Sequence, residues 1–300
     1  MPLFTCVRCE PLKSLGNGSG GLGAAEAHGR RLDERSRSRI VRAAPPIAWS
    51  VAGDGRGLDL LDAHRDHLRR ARAVVRKGAA VAMHLMAIVS SEWLCEEGDS
   101  PYSRQNWRVR ALVAHARGWA ESWCGPGSCF AVRYDCDEEG AGVVDLFVAP
   151  VQMQRRRNGA TVPTISIANA KKRLRSCFHD ATEYAALQSS WAAYAKAHLD
   201  RRFERGAYKL ITKREHVRAD MFAALAQSAR RSALSAIYAD LGPSIRLIYQ
   251  AAGALPGDGG GEQIQHLLAE AVRLLSEQRL PISDAIDSPE IGLAAAVTSP

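Results

Sequence analysis

Carboxylates are concentrated in one run of the sequence, residues 129–151 (CFAVRYDCDEEGAGVVDLFVAPV). Phe130, Val132 and Tyr134 alternate with other residues, a period of two that predicts a half-buried β-strand. Residues 143–148 are nearly all apolar, which is typical of a central strand covered on both faces. Asp145 interrupts this second strand, and burying a carboxylate there costs free energy unless it is paired or holds a cation.

A hairpin closed through residues 139–142 would bring Asp135 and Asp145 close to opposite each other, with Asp137 and Glu138 at its mouth. Clustered carboxylates suit a hard divalent cation, so the run predicts a Mg²⁺ or Mn²⁺ site. The alternative is an acidic turn in which one aspartate pairs with an arginine, such as Arg133.

Basic residues form two stripes in a chain whose formal net charge is +8. Residues 154–175 contain no acid and carry Arg155, Arg156, Arg157, Lys171, Lys172, Arg173 and Arg175. Residues 201–218 carry a second group, with Glu204 and Glu215 as their acids. Such stripes beside an acidic hairpin predict a protein that handles a polyanion, and nucleic acid is the favoured one. The alternative is a solvated basic face.

The elements that position these residues are predicted from periodicity and turn signals. Strands are expected at 3–8, 79–89 and 161–167 besides the hairpin. Helices are expected from residue 24, at 58–76, 104–123, 168–177 and 181–199, and then at 213–251 and 262–280. The order predicts an α+β fold with a mainly antiparallel sheet covered by helices, followed by a helical C-terminal region. The domains would be 1–215 and 216–280, with a disordered tail at 281–300.

Three smaller features complete the expectations. Residues 16–23 (GNGSGGLG) predict a flexible loop, and His84, inside an apolar strand, is expected to be a hydrogen-bonded core histidine. Seven scattered cysteines without a zinc-finger spacing favour reduced thiols. With no apolar run of about 18 residues, the chain is expected to be soluble and cytoplasmic.

Motifs spread over residues 1–220 resemble those of the plasmid mobilisation and recombination (Mob/Pre, MobV-type) relaxases. In order they are His28-Gly29-Arg30-Arg31, Ser90-Ser91-Glu92-Trp93, the run from Tyr134 through Asp145 to Val151, Ser166 to Lys172, Leu187-Gln188, and Phe203-Glu204-Arg205-Gly206 with Lys209 and His216. Each match is weak by itself, and the order of all six carries the resemblance.

The chain departs from this family where the metal would bind. The family's three metal histidines are replaced by Asp135, Val143 and Asp145, and the asparagine of its first motif is replaced by Gly29. The resemblance, carried over to these residues, implies a metal site of Asp135, Asp137 and Asp145 that favours Mg²⁺ or Mn²⁺.

The resemblance also implies an activity. A relaxase attacks one phosphodiester of origin DNA with a protein nucleophile, leaving a covalent 5′-phosphoryl adduct and a free 3′-OH. His28 is the expected nucleophile, Glu138 a second catalytic residue, and Tyr102 or Tyr134 the less favoured nucleophiles. Catalysis then requires His28 to lie beside the carboxylates. The expected DNA-binding residues are Arg30, Arg31, Arg155, Arg156, Arg157, Lys171, Lys172, Arg205, Lys209 and Lys213.

A second hypothesis belongs to a different class of function. A member of the family that has lost its chemistry would bind plasmid origin DNA, single-stranded or supercoiled, as an accessory or regulatory protein. Its basic stripes would look the same, so the sequence leaves both hypotheses open. The apolar stripe of 262–280 also leaves open a homodimer formed through the C-terminal helix.

Overall fold

A computed structural model describes residues 3–53, 55–156 and 159–206, together with Ser228, Ala229, Arg231, Ser232, Pro243, His266 and Glu270. The chain divides into two compact units, Met1–Tyr208 and Lys209–Pro300. The helices expected at 213–251 and 262–280, the C-terminal dimer contact and the predicted tail lie outside the described residues.

Eight strands and seven helices are described in the first unit. The strands are β1 (Leu3–Leu12), β2 (Ile47–Ser50), β3 (Ala82–Val89), β4 (Cys129–Tyr134), β5 (Val143–Val148), β6 (Val151–Arg155), β7 (Thr161–Ile165) and β8 (Phe203–Arg205). The helices are α1 (Leu22–Gly29), α2 (Glu34–Arg37), α3 (Leu60–Ala71), α4 (Ser91–Cys95), α5 (Trp107–Cys124), α6 (Ile167–Phe178) and α7 (Glu183–His198).

Six of the strands form one sheet in the order β2-β4-β5-β3-β1-β8, and β6 pairs with β7 in a separate hairpin. Strands β1 and β8 run parallel, whereas the other neighbouring pairs in the large sheet are antiparallel. The predicted α+β class with a mainly antiparallel sheet is confirmed. Three short strands were not predicted: β2, β8 and β6, the last of which lies in the segment interpreted as an arginine-rich linker.

Helices cover both faces of the sheet. On one face, α4, α5 and α7 bury Trp93, Trp119 and Trp191 against strands β1, β3, β4 and β5. On the other face, Leu22 of α1 and Leu60 of α3 pack with Phe130, Phe147 and neighbouring residues. All six residues of β4 are therefore buried, and the prediction that this strand is only half-buried is wrong.

The ends of α5 explain how the chain enters the central hairpin. The side chain of Asn106 accepts hydrogen bonds from the backbone N–H groups of Arg108 and Val109, which begins the helix. Gly125 ends it with a φ of 106°, a conformation that other residues adopt only with strain. Residue 129, the first of β4, follows four positions later.

The glycine-rich loop at 16–23 is closed rather than open. Ser14 forms a bridge to Gly21, whose N–H donates to the carbonyl of Gly18 at 2.9 Å. A Cβ atom on Gly21 would collide with the backbone of Gly16, so the close approach requires glycine. The expectation of a flexible loop therefore gives way to a tight turn that leads into α1.

Among the described residues, no helix combines the length and the apolar composition that a membrane span requires. All seven cysteines carry free thiols.

Two buried histidines of α3 make the stability of this unit depend on pH. His64 and His67 donate hydrogen bonds to the carbonyls of Val81 (3.1 Å) and Ala149 (2.8 Å), and His67 lies beside the ring of Phe130. Burial lowers the pKa of both imidazoles, and these hydrogen bonds oppose it only in part. The unfolded chain therefore binds protons more readily than the folded one.

We expect the free energy of unfolding to be highest above the ordinary histidine pKa of 6.5 and to fall as the pH drops below it. Urea unfolding at about pH 7.5 and about pH 5.5 measures this difference. His67→Gln should reduce the difference, because the glutamine amide can still bond to the Ala149 carbonyl but does not titrate. The exposed His179, changed to Asn, is the matched control, and an equal reduction in that variant would contradict the assignment.

Candidate active site

The carboxylates predicted to bind a metal lie at the end of the β4–β5 hairpin, on the face of the sheet that α1 covers. The strand register places Arg133, not Asp135, opposite Asp145. Asp135 follows β4 directly and lies two residues from Arg133, so its side chain returns to the same face. The structure therefore brings Asp135 and Asp145 together, with an arginine between them.

The guanidinium of Arg133 fills the space between the two aspartates. Its Nη2 lies 2.7 Å from Oδ2 of Asp145 and its Nε 3.1 Å from Oδ1 of Asp135, and Nη1 donates to the carbonyl of Ala25 in α1. Only 4% of Arg133 is exposed. This arrangement matches the alternative drawn from the sequence, an acidic hairpin with an aspartate paired to Arg133.

A second arginine neutralises the carboxylates at the mouth of the hairpin. Arg31 donates two hydrogen bonds to Asp137, at 2.9 and 2.5 Å, and its Nη1 lies 2.5 Å from Oε1 of Glu138. Its Nη2 is also 3.4 Å from Asp135. Arg31, which was expected to bind DNA, is thus largely enclosed by acidic side chains.

The backbone of Arg31 has a left-handed conformation that lets its side chain reach these carboxylates. Leu32 donates to the carbonyl of Ala27 and Arg31 to that of His28, which is the Schellman pattern of a helix end. The residue at this position has a left-handed conformation and is usually glycine, whereas here it is Arg31 with a φ of 56°. The left-handed conformation costs about 1 kcal/mol for a non-glycine residue, and the ion pairs of Arg31 offset it.

Gly29, the last residue of α1, lets this helix approach the hairpin. A Cβ atom at this position would overlap Nη1 of Arg133. Gly29 therefore makes room for the buried guanidinium.

His28 lies at the edge of the same cluster. Its Nε2 is 3.6 Å from Oε1 of Glu138 and its Nδ1 3.9 Å from Oδ2 of Asp33. Burial lowers the pKa of His28, and the nearby Arg133 and Arg31 lower it further against the opposing effect of Glu138. The imidazole is therefore neutral near pH 7, the form that can act as a nucleophile.

Sequence reasoning missed the role of His84. Its Nε2 lies 2.7 Å from Oδ1 of Asp145, and its ring stacks on Phe147 with centroids 4.8 Å apart. It is hydrogen-bonded, as expected, but only half-buried, and it belongs to the cluster. The signal in the sequence was that β3 and β5 each contain one ionisable residue in an otherwise apolar strand.

The two aspartates beside Arg133 differ in their electrostatics. Burial raises the pKa of Asp145, but Arg133 and His84 lower it more, so the net pKa lies below the usual range. For Asp135, burial outweighs the attraction of Arg133 and the pKa is raised. Asp145 is therefore the fixed negative charge of the pair.

The two tyrosines that the sequence offered as alternative nucleophiles have different surroundings. The hydroxyl of Tyr134 is buried, donates to the Pro101 carbonyl at 2.6 Å and accepts from the N–H of Gly142. Burial also raises its pKa, which keeps it protonated. The ring of Tyr102 is covered by the guanidinium of Arg42 at 3.6 Å.

The expected DNA-binding residues are dispersed. Arg30 points away from the cluster, 3.5 Å from both Glu26 and Asp59, while Arg155 and Arg156 are exposed at the end of β6. Of the others, Lys171 pairs with Glu183 at 3.1 Å, Lys172 is exposed, and Arg205 donates to Ser189 at 2.6 Å. Arg157, Lys209 and Lys213 lie outside the described residues.

The donor set does not fit a divalent cation. Oxygen ligands for Mg²⁺ or Mn²⁺ must converge on one open point, and here Arg133 lies at the point where Asp135 and Asp145 converge. In the part of the chain that the structure describes, no group of three or more histidine, cysteine, aspartate or glutamate side chains is arranged to hold a metal ion. Asp137 faces Arg31 rather than the other two aspartates.

Comparison with solved structures identifies the fold. The MobM relaxase domain (MOBV; Mob_Pre), crystallised with Mn bound on 22 nucleotides of plasmid pMV158 oriT DNA, superposes with a TM-score of 0.50. The two sequences are 18% identical, and the alignment covers 74% of this chain and 98% of the MobM domain. This chain has a relaxase fold.

A further structure of the MobM domain, on oriT DNA with a 3′-thiophosphate, gives a TM-score of 0.49 at 18% identity and covers 74% of this chain and 98% of that one. No protein-family model and no curated protein matches the sequence. The resemblance drawn from the six motifs is thus supported at the level of the fold.

The contact between α1 and Arg133 predicts a sensitivity at Gly29. Gly29→Ala should lower the free energy of unfolding by about 1–3 kcal/mol, because the added methyl group forces a buried, ion-paired guanidinium to move. Urea unfolding measures the change. Gly18 is the control, because a methyl group added there would have nothing within 4 Å and its φ is not left-handed. Equal destabilisation by Gly18→Ala would show that the contact is unimportant.

Proposed function

We propose that this protein is a relaxase-like DNA strand transferase of plasmid mobilisation, recombination or conjugation, and that His28 is its nucleophile. The observation that carries the proposal is the position of His28, whose Nε2 lies 3.6 Å from Glu138 at the edge of the arginine–carboxylate cluster in a relaxase fold. The DNA partner and the activity are proposals for this chain; the DNA-bound and Mn-bound state belongs to the MobM domain.

In the proposed reaction, one nitrogen of His28 attacks the scissile phosphorus and the P–O3′ bond breaks. The phosphoryl group becomes attached to His28 through a P–N bond, and the O3′ leaves with a proton from water as a free 3′-OH. The carboxylate beside the nitrogen that does not attack, Glu138 for Nε2 (3.6 Å) or Asp33 for Nδ1 (3.9 Å), accepts the proton that this nitrogen loses.

One arginine at the edge of the cluster is available to a phosphate group. Arg39 is 44% exposed and lies 3.3 Å from Glu138, and it was not singled out from the sequence. Its guanidinium, unlike the enclosed one of Arg31, is open to solvent and is the group proposed to stabilise charge that develops on phosphate oxygens. The Mg²⁺ or Mn²⁺ expected from the sequence does not fit the donor set, and no step of this reaction uses it.

Beyond the reacting phosphate, the proposed DNA contacts are the exposed basic residues Arg155, Arg156 and Lys172. Contacts to phosphates supply affinity and position the strand without reading its sequence.

A second candidate function is favoured by one observation. The carboxylates are already paired with Arg133 and Arg31, as in a structural ion-pair network. A protein with this arrangement could bind plasmid origin DNA as an accessory or regulatory protein without cleaving it. The two candidates differ in whether a covalent protein–DNA product forms.

The first test is adduct formation. The full chain, incubated with supercoiled and single-stranded origin DNA, should yield nicked DNA that carries the protein on its 5′ end. His28→Ala should reduce adduct formation by about 10³-fold or more, since the nucleophile is removed, while DNA affinity changes little. Denaturing gels of labelled DNA measure the adduct.

The matched control for this test is His179→Asn, which changes an exposed histidine far along the chain. Its adduct yield should equal that of the unchanged protein. Origin binding without any adduct, with or without Mn²⁺, would contradict the transferase and establish the accessory protein.

The second test concerns the DNA contacts. Changing Arg155 and Arg156 to Glu should weaken binding to DNA of any sequence. It should also make the binding less dependent on salt. The slope of the logarithm of the binding constant against the logarithm of the salt concentration should become shallower by roughly 0.7 for each single-strand phosphate that is no longer neutralised. Fluorescence anisotropy at several salt concentrations measures both quantities.

Arg110→Glu, on the exposed side of α5, is the control. An unchanged slope in the double variant would assign these arginines to a solvated surface.

A further inference from the structure

The carboxylates of the candidate site are all matched by guanidinium groups. Arg133 contacts Asp135 and Asp145, while Arg31 contacts Asp135, Asp137 and Glu138. Arg39 adds a second contact to Glu138. Four carboxylates thus face three arginines, so the side chains of the cluster carry one formal negative charge in excess.

The position of Arg133 is locked from several sides. Its guanidinium is bound to an aspartate of the neighbouring strand, to Asp135 and to the Ala25 carbonyl, and Gly29 of α1 lies directly against it. To admit a divalent cation between Asp135 and Asp145, this group would have to leave. A displaced Arg133 would then be buried without a partner, and an unpaired buried charge is strongly destabilising.

The remaining donors around this point would suit a cation if the guanidinium were absent. Asp145 and His84 are already in contact at 2.7 Å, and Asp135 approaches from the other side of Arg133. Two carboxylates and an imidazole form a donor set that Mn²⁺ accepts. The guanidinium of Arg133 therefore takes the place that a cation between the two carboxylates would need.

We propose that the guanidinium of Arg133 stands in the place of a divalent cation, so that this domain holds its carboxylate cluster together without a metal ion. It follows that removal of Arg133 converts Asp135, Asp145 and His84 into a Mn²⁺-binding site. This inference does not depend on strand transfer, because its readouts are metal binding and thermal stability.

The test compares the full chain with Arg133→Met after both have been stripped with EDTA. Mn²⁺ alone is the probe, and its binding is measured by electron paramagnetic resonance of free Mn²⁺ and by the shift in melting temperature. The unchanged protein should bind no Mn²⁺ at this cluster, and its melting temperature should not move. Arg133→Met should melt at a lower temperature than the unchanged protein. Addition of Mn²⁺ should raise the melting temperature of this variant by several degrees, with one ion bound per chain.

Two further variants make the result specific. Arg133→Lys keeps a cation at the site and should gain no Mn²⁺ binding. Arg133→Met combined with Asp145→Asn should abolish the gained binding, because a proposed ligand is removed. The proposal is supported when Arg133→Met binds Mn²⁺ and the combined variant does not.

The proposal is overturned by either of two results. The first is stoichiometric Mn²⁺ binding by the unchanged protein that Asp145→Asn abolishes, and this measurement stands even if Arg133→Met does not fold. The second is a folded Arg133→Met that binds no Mn²⁺. Neither result bears on whether His28 forms a DNA adduct, so failure of this inference and failure of the proposed function are distinguishable.

Discussion

The buried ion pair between Arg133 and Asp145 is the interaction on which the described domain is arranged. A carboxylate in the middle of a covered strand is costly unless an opposite charge accompanies it, and the strand register supplies that charge directly across the hairpin. Once Arg133 is buried, the residues around it must satisfy its other donors. The carbonyl of Ala25 accepts a hydrogen bond from Nη1 and connects the hairpin to the first helix, while Asp135 adds an ion pair at 3.1 Å without a hydrogen bond to Nε.

The end of that helix is shaped by the same constraint. Gly29 gives the guanidinium the space it needs, and two residues later Arg31 adopts a left-handed conformation that turns its side chain into the acidic hairpin. The strain is local and the compensation is electrostatic. Because His28 lies one residue before Gly29, this helix end also carries the imidazole to Glu138. The position of the proposed nucleophile is thus a consequence of charge neutralisation in the hairpin.

The sequence resemblance implies both a histidine nucleophile and a bound divalent cation. The arrangement in this relaxase fold separates the two. The fold places a histidine at the edge of a cluster on one face of the sheet, where the proposed attack on a bound strand requires it. A donor set open to a divalent cation is a separate requirement, and here the guanidinium of Arg133 lies between Asp135 and Asp145. Arginine is suited to this exchange because it stays charged when buried and its planar donors match carboxylates.

The sequence by itself determined the main elements and the location of the site. The period-two and apolar runs predicted β3, β4, β5 and β7, because strands of that length leave a strong pattern. Short strands such as β2 and β8 leave too little pattern to recognise, and their place in the sheet depends on partners far away in the chain. The carboxylate run marked the cluster, and Arg133 was among its possible partners.

Tertiary structure alone decided which of the sequence alternatives holds. Whether Asp145 faces a metal or an arginine depends on a register difference of two residues between Arg133 and Asp135, and the sequence is compatible with both. His84 contacts Asp145 and Arg39 contacts Glu138, although these pairs are 61 and 99 residues apart in the sequence. Ionic contacts carry no periodic signal, since charges pair wherever the folded chain brings them together, and for that reason the chemistry of this site is fixed by packing rather than by the local sequence.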